Sequence, residues 1–333
     1  MEALLESAVL RQEKIDYTEL GIPKIFVVGI GGAGSNSVTR LNRLGVKGAT
    51  TVAINTDYQH LKITEADKKI LIGADITHGL GAGGYPAIGE HCALLARNEI
   101  EEVLSPADLV FTLAGLGGGT GTGVTPVVAE IAKKKGAVLV AIVTTPFDFE
   151  LGAGKKRALA CIEKLRRISD SLIILDNNKL IKFFPNLPLE KGFLVMDQLI
   201  AEAVKGLSES ITGASEFNLD YADVKTILTG SGLSVMLYGE SFGDPDKVVI
   251  NTLNHPFLDV DYKGAVGALI HITGGKNLTI RDLNKIVEGI TKELDSQGSV
   301  KWGARIDESC GDRIKVMSIV TGVQSPQIFS PLR

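Results

Sequence analysis

The clearest candidates for chemistry are the glycines and threonines of residues 111–123, which read FTLAGLGGGTGTG. This segment begins as an apolar run that predicts a buried strand, and residues 124–135 after it have the apolar face of a helix. A glycine-rich turn between a strand and a helix offers backbone N–H groups and the positive helix terminus to an anion. We therefore predict a phosphate site. The alternative, a flexible glycine-rich linker, would not join a buried strand to a helix.

A second candidate is the pair of carboxylates in residues 218–224, which read NLDYADV. Asp220 and Asp223 are three residues apart at the start of a predicted helix, so their side chains can face the same way. In that arrangement they are candidates for catalytic residues. Helix capping selects the same residue types, including Asn218, and the residues alone favour capping over catalysis.

Strands and helices that alternate regularly must position these residues. Besides the apolar run at 111, the predicted strands are 24–28, 51–54, 70–72, 137–144 and 172–175, and the predicted helices are 35–44, 88–104, 124–135 and 155–167. This alternation predicts an α/β fold with a doubly wound, mainly parallel sheet. The loops at the carboxyl ends of its strands should meet in one crevice.

The second half of the chain has a different character. Residues 193–212 predict one long central helix, and later apolar runs predict a second sheet and a helix near residues 280–294. The runs are 235–238, 267–272 and 315–320. We therefore expect a second, smaller α+β domain. The expected divisions are an N-terminal extension (1–21), a first domain that carries the phosphate site (22–190), a central helix and linker (191–217), a C-terminal domain (218–323) and a tail (324–333).

The composition of the chain argues against several classes of function. The chain has 333 residues, 44% of them hydrophobic and 22% charged, as in globular proteins with sizeable cores. Its formal net charge of -4 argues against a nucleic-acid partner. The three cysteines are widely spaced, which is typical of reduced thiols. Because we find neither a membrane-spanning apolar run nor a signal-peptide pattern, we expect a cytoplasmic protein with no direct membrane insertion.

A rival interpretation comes from residues 29–34, which read GIGGAG after a predicted strand. With an acid about 20 residues further on, this is a fingerprint of dinucleotide binding and would suit an NAD(P)-dependent oxidoreductase. Two more glycine-rich loops, at 79–84 and 115–123, argue for a triphosphate, because a dinucleotide needs only one such loop. No P-loop signature occurs, so backbone amides would hold the phosphates.

Several motifs, in order, resemble those of the tubulin/FtsZ superfamily, and of FtsZ more than tubulin. GGGTGTG at 117–123 is similar to its signature, GIGGAGSN at 29–36, INTD at 54–57 and GLGAG at 79–83 resemble its other nucleotide loops, and NLDYADV resembles the FtsZ synergy loop. The resemblance, over residues 24–323, implies a GTPase that polymerises head to tail and acts in cell division, at the division site. A scaffold that binds GTP but hydrolyses little remains the alternative.

The resemblance also implies residue roles. The implied nucleotide-binding residues are Gly31, Gly32, Ala33, Gly34, Ser35 and Asn36 in the first loop, Asn55 and Asp57 in the second, Ala82 and Gly83 near the γ-phosphate, Gly115, Gly117, Gly118, Gly119, Thr120, Gly121 and Thr122 around the phosphates, Glu150 at the ribose, and Asn177, Phe193 and Asp197 at guanine. A carboxylate suits guanine because it accepts from N1–H and from the exocyclic amine. The catalytic residues would be Asp220 and Asp223, with Asn218, acting in the next subunit's site.

The implied cofactors are GTP or GDP and Mg²⁺, with the ion held mainly by phosphates and water, so no protein ligand is assigned. The implied partner is a second copy of the chain, and residues 328–333 are a candidate binding segment for a membrane-tether protein. One departure concerns the family's ribose-side arginine. In an ungapped alignment its position falls on Gly154, which leaves Lys155 or Lys156 as the candidate replacement.

Overall fold

The computed structural model describes residues 21–150, 152–213, 217, 219–229, 232–254, 262–292, 294 and 298–323. Our expectations for the N-terminal extension before residue 21, for Asn218 and for the tail lie outside the described residues. The strands are β1 Ile25–Ile30, β2 Ala49–Asn55, β3 Lys68–Leu71, β4 Leu109–Gly115, β5 Val138–Thr145, β6 Ser171–Asp176, β7 Gly232–Phe242, β8 Gly267–Gly274, β9 Ser299–Ile306 and β10 Arg313–Thr321.

The helices alternate with the strands in the first half of the chain. They are α1 Gly31–Arg43, α2 Tyr58–Ile63, α3 Ala74–Thr77, α4 Pro86–Leu95, α5 Arg97–Leu104, α6 Thr120–Lys134, α7 Ala153–Ile168, α8 Asn178–Phe183, α9 Leu189–Thr212, α10 Tyr221–Leu228, α11 Pro245–Leu253 and α12 Ile280–Thr291, with a short 3₁₀ turn at Glu308–Cys310. None of the helices among these described residues is long and apolar enough to cross a membrane.

The sheet confirms the predicted doubly wound fold. Its strand order is β3-β2-β1-β4-β5-β6-β7-β10-β8-β9, and the first six strands in that order pair in parallel. Parallel strands are buried on both faces, which explains why β1 and β5 read as apolar runs without alternation. Helices α1 and α9 cover one face of this sheet, and α4 to α7 cover the other.

The expectation of a separate second sheet is wrong. Strand β7 pairs in parallel with β6 through three residue pairs, from Ser171 with Gly232 to Ile173 with Ser234, so the hydrogen bonding runs through both halves of the molecule. The hydroxyls of Ser171 and Ser234 are 2.8 Å apart at this junction. Beyond it, β7, β10 and β8 are antiparallel, β9 is parallel to β8, and α11 and α12 cover a core of their own.

Two helix predictions need correction. The helix expected over residues 88–104 is two helices, because Ala96 leaves helical geometry with ψ of 9° and separates α4 from α5. The central helix α9 begins at Leu189 rather than 193, directly after Pro188. Its buried residues, including Leu199, Val204 and Leu207, pack on the parallel sheet. This helix connects the two halves of the chain.

Candidate functional site

A cavity of about 400 Å³ lies at the carboxyl edge of the parallel strands. Strands β1, β4 and β6 end beside it, since parallel pairing brings their carboxyl ends to one edge. The predicted residues in its wall are Gly32, Ala33, Gly34, Asn36, Gly115, Glu150, Asn177, Phe193 and Asp197. The structure thus brings together residues that are up to 165 positions apart in the sequence, counting from 32 to 197.

The predicted phosphate loop connects β4 to α6, which begins at Thr120. Gly117 has φ of +104°, a conformation that glycine adopts without strain. The first turn of α6 contains no acid, and no side chain caps its N-terminus. A Cβ on Gly118 would meet no atom within 4 Å, so the loop is open on that side. An uncapped helix terminus behind an open glycine loop suits a phosphate.

The other two glycine-rich loops lie against this loop. A Cβ on Gly31 would be 2.9 Å from the backbone nitrogen of Gly121, so the first loop touches the start of α6. A Cβ on Gly119 would be 2.8 Å from the Cβ of Ala82, in the third loop. Dinucleotide binding does not require three converging loops, whereas a chain of three phosphates can use them.

Several predicted side chains shape the loops themselves. The Thr122 hydroxyl is buried and accepts a hydrogen bond from the backbone N–H of Gly117 at 2.9 Å. The Asp57 carboxylate accepts from the backbone N–H of His60 at 2.9 Å and so caps α2. The Asn55 carbonyl oxygen accepts from the backbone N–H groups of Thr56 and Asp57. The Nδ2 group of Asn55 is buried with no partner among the described residues, so a ligand or water could satisfy it.

The hydroxyl groups of Thr120 and Thr56 are 2.7 Å apart, which ties the phosphate loop to the second loop. Within the described residues we find no cluster of three His, Cys, Asp or Glu side chains able to hold a metal. The nearby oxygen donors, Asp57 and the two threonine hydroxyls, suit a hard cation such as Mg²⁺ held mostly through phosphates and water.

The other end of the cavity suits a planar base. The ring of Phe193 is 41% exposed and packs edge-on against Phe147, with ring centroids 5.7 Å apart. The half-buried carboxylate of Asp197 accepts a hydrogen bond of 2.6 Å from the Ser37 hydroxyl. Burial raises the pKa of Asp197 to about 6, although Ser37 and Arg40 act in the opposite direction. The carbonyl oxygen of the Asn177 side chain is buried without a partner among the described residues.

An arginine, Arg157, lies close to the position at which the ungapped alignment has Gly154. Its Nε donates to the carbonyl oxygen of Gly117 at 2.8 Å, so its guanidinium lies at the phosphate loop. Lys155 instead forms a 2.8 Å ion pair with Asp148. Arg157 lies three residues after Gly154, so an insertion of three residues after Glu150 in the alignment would have found it. The carboxylate of Glu150 lines the cavity and accepts from the Phe147 N–H at 3.0 Å.

Sequence reasoning also missed Ser37 and His60, which both line the cavity. Ser37 is one residue past the first-loop motif, and its hydroxyl holds Asp197. His60 lies in α2, three residues after the N-cap residue Asp57, and this spacing lets the Asp57 carboxylate accept from the His60 backbone N–H. That spacing was the available signal for His60.

The acid loop, of which residues 217 and 219–223 are described, lies at the opposite edge of the sheet. The hydroxyl of Tyr221 donates to the carbonyl oxygen of Asp108 at 2.8 Å, and Asp108 directly precedes β4. The phosphate loop follows the other end of the same strand. The seven residues of β4 span about 20 Å at roughly 3.3 Å per residue. The carboxylates of the acid loop therefore cannot reach the phosphate loop of their own subunit.

Helix capping does not account for Asp220. It occupies the N-cap position of α10, but its carboxylate accepts no capping hydrogen bond, whereas those of Asp57 and Asp244 do cap their helices. Asp223 lies in the first turn of α10, and its Oδ1 is 2.9 Å from Nζ of Lys301. Asp220 is therefore an exposed carboxylate at a helix start without a capping role.

Comparison with known proteins decides between the interpretations. Residues 24–185 match the family model "Tubulin/FtsZ family, GTPase domain", and residues 232–324 match "FtsZ family, C-terminal domain". The chain belongs to the tubulin/FtsZ family. Cell division protein FtsZ 2 of Halobacterium salinarum is 54% identical over 315 residues, which cover 94% of this chain and 80% of that protein. FtsZ 2 of Methanocaldococcus jannaschii is 52% identical over 332 residues, which cover 98% of this chain and 87% of that protein.

Solved FtsZ structures agree in fold. The empty FtsZ dimer of M. jannaschii superposes with a TM-score of 0.86 at 45% identity, over 96% of this chain and 92% of that one. CetZ2 from Haloferax volcanii, at 23% identity and a TM-score of 0.77, shares the fold. Membership of the FtsZ group makes this chain a GTP-dependent cell-division protein with GTPase activity. The oxidoreductase interpretation of residues 29–34 has no support.

Proposed function

We propose that this protein assembles head to tail and hydrolyses GTP only where two subunits meet. The observation that carries the proposal is the separation between the phosphate loop and the carboxylates of the acid loop. The phosphate loop follows the carboxyl end of β4, and the acid loop is hydrogen-bonded to Asp108 at its amino end. A head-to-tail contact would join these opposite edges, so that the acid loop of one subunit meets the phosphates of the next.

In this proposal the cavity binds GTP with its base between Phe193 and Asp197. Asp197 accepts hydrogen bonds from guanine N1–H and the exocyclic amine, a donor pair that adenine lacks. Glu150 contacts the ribose, and the N–H groups from Gly118 to Thr122 hold the phosphates. Arg157 supports the loop through the Gly117 carbonyl oxygen. Bound Mg²⁺ would supply charge neutralisation at the β- and γ-phosphate oxygens.

At the junction, Asp220 and Asp223 of the neighbouring subunit orient a water for in-line attack on the γ-phosphate. A carboxylate accepts a proton from this water as its oxygen bonds to phosphorus, and GDP leaves. Asp220 is exposed and Asp223 half-buried, so both groups are accessible from the surface of the free subunit. The alternative of a scaffold with little hydrolysis is disfavoured because both carboxylates are present, uncommitted to capping hydrogen bonds.

The turnover number per subunit should rise with protein concentration, because each active site needs a neighbour. We expect little hydrolysis below the assembly threshold, then a rise to a plateau as the assembled fraction saturates. Phosphate release and light scattering, measured across the same concentration series with GTP, should show coincident thresholds. GDP, ATP and NAD serve as nucleotide controls for assembly. A turnover number that stays constant across the threshold would contradict the shared site.

We further propose that the filaments act in the cytoplasm at the division site, attached to the membrane by a tether protein that binds the tail. The support is the cell-division role of the family together with the apolar segment 328–333, which lies outside the described residues. A fusion of this protein to a fluorescent protein should form a ring at the division site of dividing cells. A fusion truncated after residue 323 should assemble with GTP in vitro but lose the ring, and a truncated fusion that still forms rings would exclude the tail as the attachment.

A further inference from the structure

The acid loop is held against the edge strand β9 by backbone contacts. The backbone N–H of Ala304 donates to the carbonyl oxygen of Phe217 at 3.0 Å. The loop approaches Gly303 closely, because a Cβ there would lie 2.9 Å from that same oxygen and 3.2 Å from Cγ of Leu219. Leu219 itself is buried in the main core. Strand β9 therefore fixes where the acid loop begins.

Two cations of β9 flank this point of approach. Lys301 and Arg305 lie two residues either side of Gly303 and therefore on the same face of the strand. Arg305 forms an ion pair with the buried carboxylate of Glu209 on the central helix. Lys301 forms its ion pair with Asp223, with Nζ and Oδ1 2.9 Å apart. Thus β9 holds the beginning of the acid loop through its backbone and the end of it through the Lys301 side chain.

Lysine on an edge strand has an ordinary explanation, which is protection of the edge against pairing with another chain. That role needs an ammonium group directed into solvent. The side chain of Lys301 is instead only 42% exposed and contacts a carboxylate that is 37% exposed. Its position beside Asp223 therefore calls for an explanation at the acid loop.

We propose that Lys301 is a positioning residue of the shared GTPase site, one that orients the Asp223 carboxylate and offsets its charge when it approaches the neighbour's phosphates. The inference rests on the proposed function, in which Asp223 acts on the next subunit. Two carboxylates approaching a triphosphate repel it. An ammonium group 2.9 Å from one of them reduces that repulsion and restricts the carboxylate to one direction.

Removing the ammonium group tests this role. Lys301→Met should bind GTP and assemble near the wild-type threshold, but its turnover number in the assembled state should fall about tenfold, because a catalytic group held less precisely loses rate. Lys301→Arg, which keeps a cation that can pair with a carboxylate, should recover most of the rate. Recovery by arginine separates positioning by charge from a general loss of structure.

The chain provides a matched control. Lys285 pairs with Asp246, an acid in the first turn of α11, at 3.0 Å, much as Lys301 pairs with Asp223. Lys285→Met should leave the turnover number unchanged. Trp302 is the single tryptophan of the chain and contacts Phe217 of the acid loop, with ring centroids 5.2 Å apart. Its fluorescence spectrum and the thermal unfolding of Lys301→Met should match those of the wild type if the fold of the loop is intact.

Mixing experiments separate failure of this inference from failure of the proposed function. Lys301→Met and Asp223→Ala change the same face of the subunit, so mixing them should restore no activity. Lys301→Met mixed with a variant that cannot bind nucleotide but has an intact acid loop, Thr120→Arg, should exceed the sum of the separate rates. Wild-type turnover in Lys301→Met, or turnover above it, would overturn the role of Lys301 while leaving the shared site intact.

Discussion

Asp197→Asn should bind GTP roughly 10- to 100-fold more weakly than the wild type. The substitution removes a half-buried carboxylate and can direct an amide donor at the donor groups of guanine, N1–H and the exocyclic amine. Hydrogen bonds to charged groups contribute about 1.5–3 kcal/mol, and each 1.4 kcal/mol is tenfold in affinity. Ser37 holds the carboxylate from the other side at 2.6 Å, and its hydroxyl can also donate to the asparagine oxygen. The fold should therefore tolerate the change.

Titration of the wild type and Asp197→Asn with a fluorescent GTP analogue measures this effect. Glu190→Gln is the matched control, because Glu190 is an exposed acid in the first turn of the same helix. It should bind as the wild type does. If Asp197→Asn also retained wild-type affinity, the assignment of the guanine site would be wrong.

The pH dependence of binding provides a second readout of the same group. Burial raises the pKa of Asp197 to about 6, so the free protein increasingly holds a proton there as the pH falls below 6. In the proposed guanine site the base binds the ionised carboxylate, and affinity should therefore fall about tenfold between pH 7 and pH 5. Asp197→Asn should lack this component, so the difference between the two curves excludes protonation of the nucleotide itself. The stability of the fold depends on pH in the opposite direction to GTP affinity. Because the pKa of Asp197 is raised in the folded state, its contribution to the free energy of unfolding declines as the pH rises from about 4 to 6.

Asp223→Ala should lower the turnover number by at least about 100-fold, in the range that loss of general-base catalysis produces, and still bind GTP with unchanged affinity. The carboxylate is separated from its own cavity by the length of β4, so its loss should not touch nucleotide binding in the same subunit. Filaments should form and persist longer, because hydrolysis is slow. Single-turnover phosphate release, nucleotide titration and sedimentation measure the three properties separately.

Asp246→Ala is the control for this variant. Asp246 occupies the first turn of α11 and pairs with a lysine, as Asp223 does in α10, but it lies outside the acid loop. Its loss should leave hydrolysis unaltered. A substantial rate in Asp223→Ala would exclude this carboxylate from the chemistry.

The parallel sheet and the crevice at its carboxyl edge could be predicted because they depend on local patterns. Apolar runs, glycine-rich turns and helical periodicity are each contained within about ten residues, and parallel topology then brings the strand ends together. The N-terminus of α9 also has a local signal in the sequence, because Pro188 and Glu190 are typical of a helix N-terminus. Interpreting the apolar residues alone placed that start four residues late, at 193 instead of 189.

Other features depend on contacts between distant residues. Strand β9 was missed because Lys301 and Arg305 interrupt its apolar pattern, and both are explained only by their carboxylate partners. The continuity of the sheet rests on three residue pairs between β6 and β7, which no local pattern reveals. The break at Ala96 carries no glycine or proline signal. The domain boundaries that we expected remain a prediction.

The residues of the candidate site also fall into those with a local sequence signal and those that depend on distant contacts. The residues of the glycine loops were found from their own motifs, whereas Ser37 and Arg157 act through partners far along the chain, Asp197 and Gly117. The position of the acid loop also depends on contacts between residues that are distant in the sequence. Residue types alone favoured capping for Asp220, and only its lack of a capping hydrogen bond shows otherwise.

Whether the acids act on a neighbouring subunit is tested most directly by mixing two inactive variants. Thr120→Arg should put bulk and charge into the phosphate loop and abolish nucleotide binding, while its acid loop stays intact. Asp223→Ala keeps the pocket and lacks the carboxylate. Each variant alone should be nearly inactive, and co-sedimentation must first establish that they form mixed filaments.

In mixed filaments, some junctions join the intact pocket of an Asp223→Ala subunit to the intact acid loop of a Thr120→Arg subunit. GTPase activity should therefore reappear above the sum of the separate rates and peak at intermediate mixing ratios. If mixed filaments form and no activity returns, the carboxylates do not act between subunits and the shared site is refuted.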